Sequence, residues 1–165
     1  MSSTKFKGNP VPLTGDFLEP GALAPDFHLT RSDLTDVTLA DFAHKKRLVL
    51  NVFPSIDTPV CAASVRRFNE LAAAAPDTAV LCVSRDLPFA HARFCAADGL
   101  ENVVTLSELR DFDFGRAYGL EIAEGPLAGL LARAVLVFDE QRRVVHAELV
   151  DDITHEPAYD RVPLA

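Results

Sequence analysis

The segment that most restricts the fold is Leu48-Val49-Leu50-Asn51-Val52-Phe53, a nearly unbroken apolar run that stops abruptly at Pro54. A strand that is apolar on both sides must be covered on both faces, which is the situation of a central strand in an α/β sheet. From Cys61 the apolar positions Cys61, Val65, Phe68, Ala72 and Ala75 recur at helical spacing, until Ala75-Pro76-Asp77 closes the segment. A strand followed directly by a helix is half of a βαβ unit, and Ala79-Val80-Leu81-Cys82-Val83 supplies the next buried strand.

The remaining segments continue that alternation. Pro88 to Ala97 reads as a helix stopped by Asp98-Gly99, and Asn102 to Leu106 as a third strand. Phe112 to Tyr118 reads as a short helix closed by Gly119, and Ala134–Phe138 with Val144–Val150 as a terminal hairpin turned at Asp139-Glu140-Gln141-Arg142. Ahead of the central strand lie two short apolar segments, Phe27-His28-Leu29 and Val37-Thr38-Leu39. Gly8-Asn9-Pro10 and Glu19-Pro20-Gly21 punctuate residues 1–25, which read as an N-terminal hairpin appendage. The expected class is α/β, with a mixed central sheet flanked by helices. At 165 residues and 48% apolar content, with no repeat or linker, residues 1–165 are expected to form one domain.

Composition removes several function classes. The first seven residues lack the apolar core of a signal peptide, and no stretch approaches the about 18 apolar residues of a membrane span, so a soluble, cytoplasmic protein is expected. A net charge of -8 with mixed signs offers no basic face for nucleic acid or a membrane surface. The three cysteines, Cys61, Cys82 and Cys95, are odd in number and widely spaced, and the five histidines, His28, His44, His91, His146 and His155, are scattered. No metal site is expected from these spacings.

Chemistry concentrates in Pro54-Ser55-Ile56-Asp57-Thr58-Pro59-Val60-Cys61, which joins a central strand to a helix at the kind of strand end where α/β sheets bind ligands. Thr58 is a good N-cap and Pro59 suits the first helical position, so Cys61 falls in the first turn. Free N–H groups and the helix dipole favour an anionic sulfur there. Cys61 also lies on the apolar stripe of its helix, and periodicity alone leaves a reactive thiol and an inert core thiol both open. Arg133, ahead of an apolar strand, reads either as a solvated charge or as a donor turned inward. Cys95 reads either as a plain helix residue or as a second reactive thiol. Cys82, inside an apolar strand with no charged neighbour, reads as packing, and the histidines as mostly surface or satisfied residues.

Pro54-x-x-x-Thr58-x-x-Cys61 after an apolar strand resembles the active-site signature of the peroxiredoxins. Three longer blocks resemble the bacterial thiol peroxidase subclass, the atypical two-cysteine peroxiredoxins. They are Asp57 to Arg66 with Phe68-Asn69, Asp86-Leu87-Pro88-Phe89-Ala90 with Arg93-Phe94-Cys95, and Gly125 to Leu130 with Ala132-Arg133-Ala134. The resemblance runs over roughly residues 6 to 152. It implies a thioredoxin-like fold in which Cys61 is the peroxidatic cysteine and Cys95 the resolving one, joined as an intramolecular disulfide. It further implies that Pro54 shields the sulfur, that Thr58 bonds the sulfur or the peroxide oxygen, and that Arg133 holds both. Hydroperoxide substrates, thioredoxin as reductant and a homodimer are implied in the same way, with no dissociable cofactor because sulfur carries the electrons.

Two departures and two rivals accompany this resemblance. The tail from Glu156 is short for a closing helix, Pro163 would obstruct its last turn, and Ala43-His44-Lys45-Lys46-Arg47 is unusually basic. A redox-sensing module without turnover would use the same cysteines, and a cysteine hydrolase would pair Cys61 with His91 or His146. A disulfide needs Cα atoms within about 7 Å, so pairing Cys61 in its helical turn with Cys95 implies local unwinding.

Overall fold

The computed structural model describes residues 2–164. The expected hairpin forms from β1 (Ser3–Phe6) and β2 (Asn9–Thr14), followed by β3 (Leu29–Arg31), β4 (Asp36–Val37) and a 3-10 turn at Leu39–Phe42. β5 (Arg47–Val52) leads into α1 (Pro59–Ala73), β6 (Thr78–Ser84) into α2 (Pro88–Asp98), and β7 (Val104–Ser107) into α3 (Asp113–Ala117). A short β8 (Glu121–Ile122), the hairpin of β9 (Ala134–Phe138) and β10 (Val144–Leu149), and a 3-10 turn at Tyr159–Arg161 follow. Among the described residues these strands form a sheet of order β10-β9-β5-β6-β7-β3-β4 and a smaller one of order β1-β2-β8. β5, β6 and β7 run parallel, whereas β9, β10, β3 and β4 pair antiparallel, which makes the main sheet mixed.

Side chains of the three central strands alternate between two cores. Leu48, Leu50 and Val52 join Leu81, Val83, Leu136 and Phe138 on one face, which Phe114, Tyr118 and Ile122 cover. Val49 joins Val80, Cys82, Val135 and Val137 on the other, covered by Cys61, Val65, Phe68 and Ala72 of α1. Burying a side chain of the Val, Leu or Phe size contributes about 1.5–3 kcal/mol, and a strand buried on both faces collects this at every position. Asn51 is the fully buried polar residue of β5. Its amide donates to Ser64 Oγ at 3.2 Å and reaches Cys82 Sγ at 3.7 Å, so it joins the sheet to α1.

The boundaries that differ from expectation each have a local competitor. β7 starts at Val104 because the Asn102 N–H is taken by Asn69 Oδ1 at 2.8 Å. Phe27 stays outside β3, with its N–H bonded to the Asp26 carboxylate at 2.9 Å. β4 stops at Val37 because the Thr38 N–H donates to Asp41 Oδ2 at 2.7 Å, a capping box that starts the 3-10 turn. The tail forms a single 3-10 turn and then packs back on the sheet. Val162 is buried, Pro163 O accepts from Arg47 at 3.1 Å, and Leu164 O accepts from Thr78 Oγ1 at 2.6 Å. The basic stretch is thus partly consumed in backbone contacts, Lys45 Nζ reaching Pro76 O at 2.6 Å. No helix among the described residues is long and apolar enough to cross a membrane.

Candidate active site

α1 begins as its N-terminal residues dictate. Thr58 is the N-cap in an extended conformation (φ −97°, ψ 147°), and Pro59 opens the helix. Thr58 Oγ1 accepts the backbone N–H of Cys61 at 3.4 Å and donates to Ser55 O at 3.1 Å. Both of these bonds go to backbone, so the hydroxyl shapes the turn that presents Cys61. Pro54 is buried where the chain leaves β5, and the Cys61 side chain is fully buried at 0% exposure.

Arg133 reaches the same point from a distant part of the sequence. It directly precedes β9 and shares the parity of Val135 and Val137, whose side chains face α1. At 2% exposure it is no solvated charge. Its Nη2 donates to Cys61 Sγ at 3.1 Å and its Nε donates to Ile153 O at 2.9 Å. Nη1 is buried without a hydrogen-bond partner among the described residues. A guanidinium fixed at one nitrogen, holding the sulfur with a second and carrying an idle third donor, can bind one more acceptor beside the sulfur.

The other two cysteines lie in different surroundings. Cys95 is half-buried near the end of α2, where burial raises its pKa, the Thr105 hydroxyl opposes the rise and Asp98 adds to it. Cys82 is pushed up to about 12 by burial, against a small opposing bond from Asn51, in keeping with a packing role. All three cysteines are free thiols. No group of three or more His, Cys, Asp or Glu among the described residues is placed to hold a metal ion.

A buried polar cluster beside the site escaped the sequence pattern. Asp86 accepts from Ser55 Oγ at 2.8 Å, from the Ile56 N–H at 2.7 Å and from Ser84 Oγ at 2.5 Å. Ser84 Oγ in turn lies 2.8 Å from His91 Nε2. The histidines read as mostly surface or satisfied residues, and His28, His44 and His155 are exposed while His91 is fully buried (0%). It occupies the sheet-facing side of α2 together with Pro88, and Ser84 gives its ring a partner there. The available signal was the parity of Ser84 and Asp86 at the end of β6, with His91 one turn into the next helix. Between them, Arg85 points the opposite way. It pairs with Glu108 and with Glu121 (2.6 Å) and bonds Gly129 O, fastening the loop that leads to Arg133. Burial raises Glu108 to about 6, with Arg85 and the Gly115 N–H opposing the rise.

For Asp86 desolvation acts upward, yet the nearby His91 ring and the bonds from Ser84, the Ile56 N–H and Ser55 outweigh it and hold the carboxyl at about 2, below the ordinary 3.8. A depressed folded-state pKa stabilises above the unfolded value, and that stability is lost as pH falls from about 3.8 to about 2. The contribution is on the order of 2 kcal/mol. Urea midpoints of wild type and Asp86→Asn are therefore expected to differ at pH 5 and to converge toward pH 2. A gap that stays constant with pH would assign the stability elsewhere.

A mixed α/β sheet with a cysteine capped into the first turn of the helix after its central strand is the architecture of a thioredoxin-like redox protein. The chain matches the Redoxin family over residues 19–162. It is 48% identical over 160 residues to the thiol peroxidase of Corynebacterium glutamicum, spanning 97% of this chain and 96% of that protein. The crystal structure of a peroxiredoxin-like protein from Aquifex aeolicus superposes with a TM-score of 0.90 at 40% identity, covering 97% of this chain and 92% of the other. The thiol peroxidase from Chromobacterium violaceum gives a TM-score of 0.88 at 26% identity over 96% and 91% of the two chains. The chain belongs to the Redoxin family, as one of its peroxiredoxins, and is an oxidoreductase of the peroxidase class.

Proposed function

We propose that the protein reduces hydrogen peroxide and organic hydroperoxides through Cys61. The Cys61 sulfur attacks one peroxide oxygen and the O–O bond breaks. Sulfur is oxidised to a sulfenic acid, and the other oxygen leaves as water or an alcohol. The observation that carries this assignment is the Arg133 guanidinium, with Nη2 on the Cys61 sulfur at 3.1 Å and Nη1 buried and unbonded beside it.

Rate arithmetic favours such a clamp over thiol acidity alone. Lowering a thiol pKa from about 8.5 to about 6 raises the thiolate fraction at pH 7 about 30-fold. The accompanying loss of nucleophilicity, at a slope of about 0.4–0.5, removes roughly 10- to 18-fold of that gain. Most of the acceleration therefore belongs to donors that position the peroxide and meet charge on the departing oxygen, namely Arg133 and the N-terminal turn of α1, with Thr58 shaping that turn. Pro54 shields the sulfur.

Cys95 then condenses with the sulfenic acid to give an intramolecular disulfide, which thioredoxin reduces. Residues 1–165 act as one domain, in a homodimer in the cytoplasm. One equivalent of hydrogen peroxide followed by non-reducing peptide digestion is expected to yield a Cys61–Cys95 peptide. A Cys61–Cys82 bridge would overturn the assignment of Cys95. Coupled turnover with thioredoxin and its reductase, with Cys61→Ser as the blank, separates a peroxidase that cycles from a sensor that stops after one oxidation.

A further inference from the structure

The two cysteine-bearing segments meet at one carboxylate. Asp86 Oδ1 accepts from Ser55 Oγ and Oδ2 from the Ile56 N–H, both in the loop that leads to Thr58 and Cys61. The same Oδ2 accepts from Ser84 Oγ, and the ring of His91 sits 2.8 Å from that hydroxyl and 3.7 Å from the carboxylate oxygen. His91 stands one turn ahead of Cys95 on α2, and it and Pro88 are the buried residues of that helix.

Little else anchors α2 so deeply. Ala90 and Phe94 are only partly buried against the core, and the pairing of Arg93 with Asp57 at 3.1 Å lies between exposed side chains. Arg66 and Asp98 form a second ion pair with Arg66 half exposed. Exposed pairs of this kind contribute little, whereas hydrogen bonds to a desolvated carboxylate are among the strongest available to a side chain. Breaking the Asp86 cluster is thus the main local cost of moving either segment.

We propose that Ser84, Asp86 and His91 form a latch that holds the Cys61 loop and the Cys95 helix in the peroxide-reactive arrangement and must open before the disulfide forms. The latch rests on the Cys61–Cys95 cycle given above. Asp86 is its central positioning residue, keeping the Cys61 turn aligned with Arg133 while the sulfur attacks. When the latch opens on the sulfenic form, the Cys95 sulfur bonds to the Cys61 sulfur and the S–O bond breaks. The released hydroxide takes the Cys95 proton and departs as water. Loosening the Asp86 hold on the Cys61 loop therefore slows peroxide attack and speeds resolution, whereas freeing the helix side at His91 speeds resolution alone.

Both steps can be read on the full chain after thermal melting has shown each variant to be folded. Competition with a haem peroxidase for hydrogen peroxide reports the first step. The second is reported by the sulfinic acid that accumulates as peroxide is raised, because a second peroxide competes with Cys95 for the sulfenic acid. Asp86→Asn is expected to slow the first step about 10-fold and to lower the sulfinic fraction several-fold. His91→Ala frees only the helix side. It should lower the sulfinic fraction similarly and leave the first step within about two-fold. His91→Gln, whose amide can still reach Ser84, should return the partition toward wild type. An unchanged or increased sulfinic fraction in the folded Asp86→Asn or His91→Ala chain overturns the latch. A wild-type chain that forms no Cys61–Cys95 disulfide overturns the underlying cycle instead, so the two failures are distinguishable.

Discussion

Replacing Arg133 by lysine is expected to lower the second-order rate constant for hydrogen peroxide by about 100- to 1,000-fold, the range for removing one preorganised donor from a developing oxyanion. Lysine keeps the positive charge but presents it as a single point on a flexible stem, without the planar fork of donors. The native guanidinium is held by Ile153 O through Nε, touches the Cys61 sulfur through Nη2 and keeps Nη1 free, an arrangement that one ammonium cannot reproduce. The substitution also leaves the buried Ile153 carbonyl without this donor, at a cost of about 1–3 kcal/mol in stability. Rates are therefore to be compared well below the melting temperature of the variant. Peroxide turnover within a few-fold of wild type would remove clamping as the source of the rate and return it to the sulfur itself.

Gly119→Ala is expected to destabilise the fold by more than about 4 kcal/mol, at the extreme of single substitutions. Gly119 adopts φ +67°, and an added Cβ would collide with the backbone of Asp16 and Phe17, which no side-chain rotation can relieve. Gly99 is the matched control. Its φ of +64° is nearly the same but nothing lies within 4 Å of an added Cβ, so Gly99→Ala carries only the left-handed cost of about 1–2 kcal/mol. For a chain of this length the difference amounts to a melting-temperature gap on the order of 10 °C. The effect should also reach the site. Leu120, next in sequence, accepts the Ala132 N–H at 2.8 Å, and Ala132 adjoins Arg133. Equal melting temperatures for the two variants would show that the Asp16 segment yields freely and does not buttress this turn.

Much of the Cys61 neighbourhood was legible in the chain because its determinants are local. The N-cap preference of Thr58, the fixed φ of Pro59 and the helical spacing of Val65, Phe68 and Ala72 act within a few residues, and α1 starts where they place it. Gly99 and Gly119 end their helices for the same reason, since a left-handed turn residue is chosen by its own backbone. Strand ends were less legible. Asp26, Asp41 and Asn69 capture N–H groups through side-chain contacts that compete with pairing, and β8 forms by pairing with the sequence-distant β2.

The sequence by itself determined the mixed α/β class and the strand-to-helix joint that carries Cys61, since hydrophobic period and capping chemistry are properties of contiguous residues. Only the tertiary structure decided that Arg133, 72 positions away, donates to that sulfur. It also decided that His91 is a core residue and that Asp86 grips the Cys61 loop. Whether a polar side chain is solvated or spent on a buried partner depends on which segments the sheet brings side by side, and spacing along the chain carries no record of that.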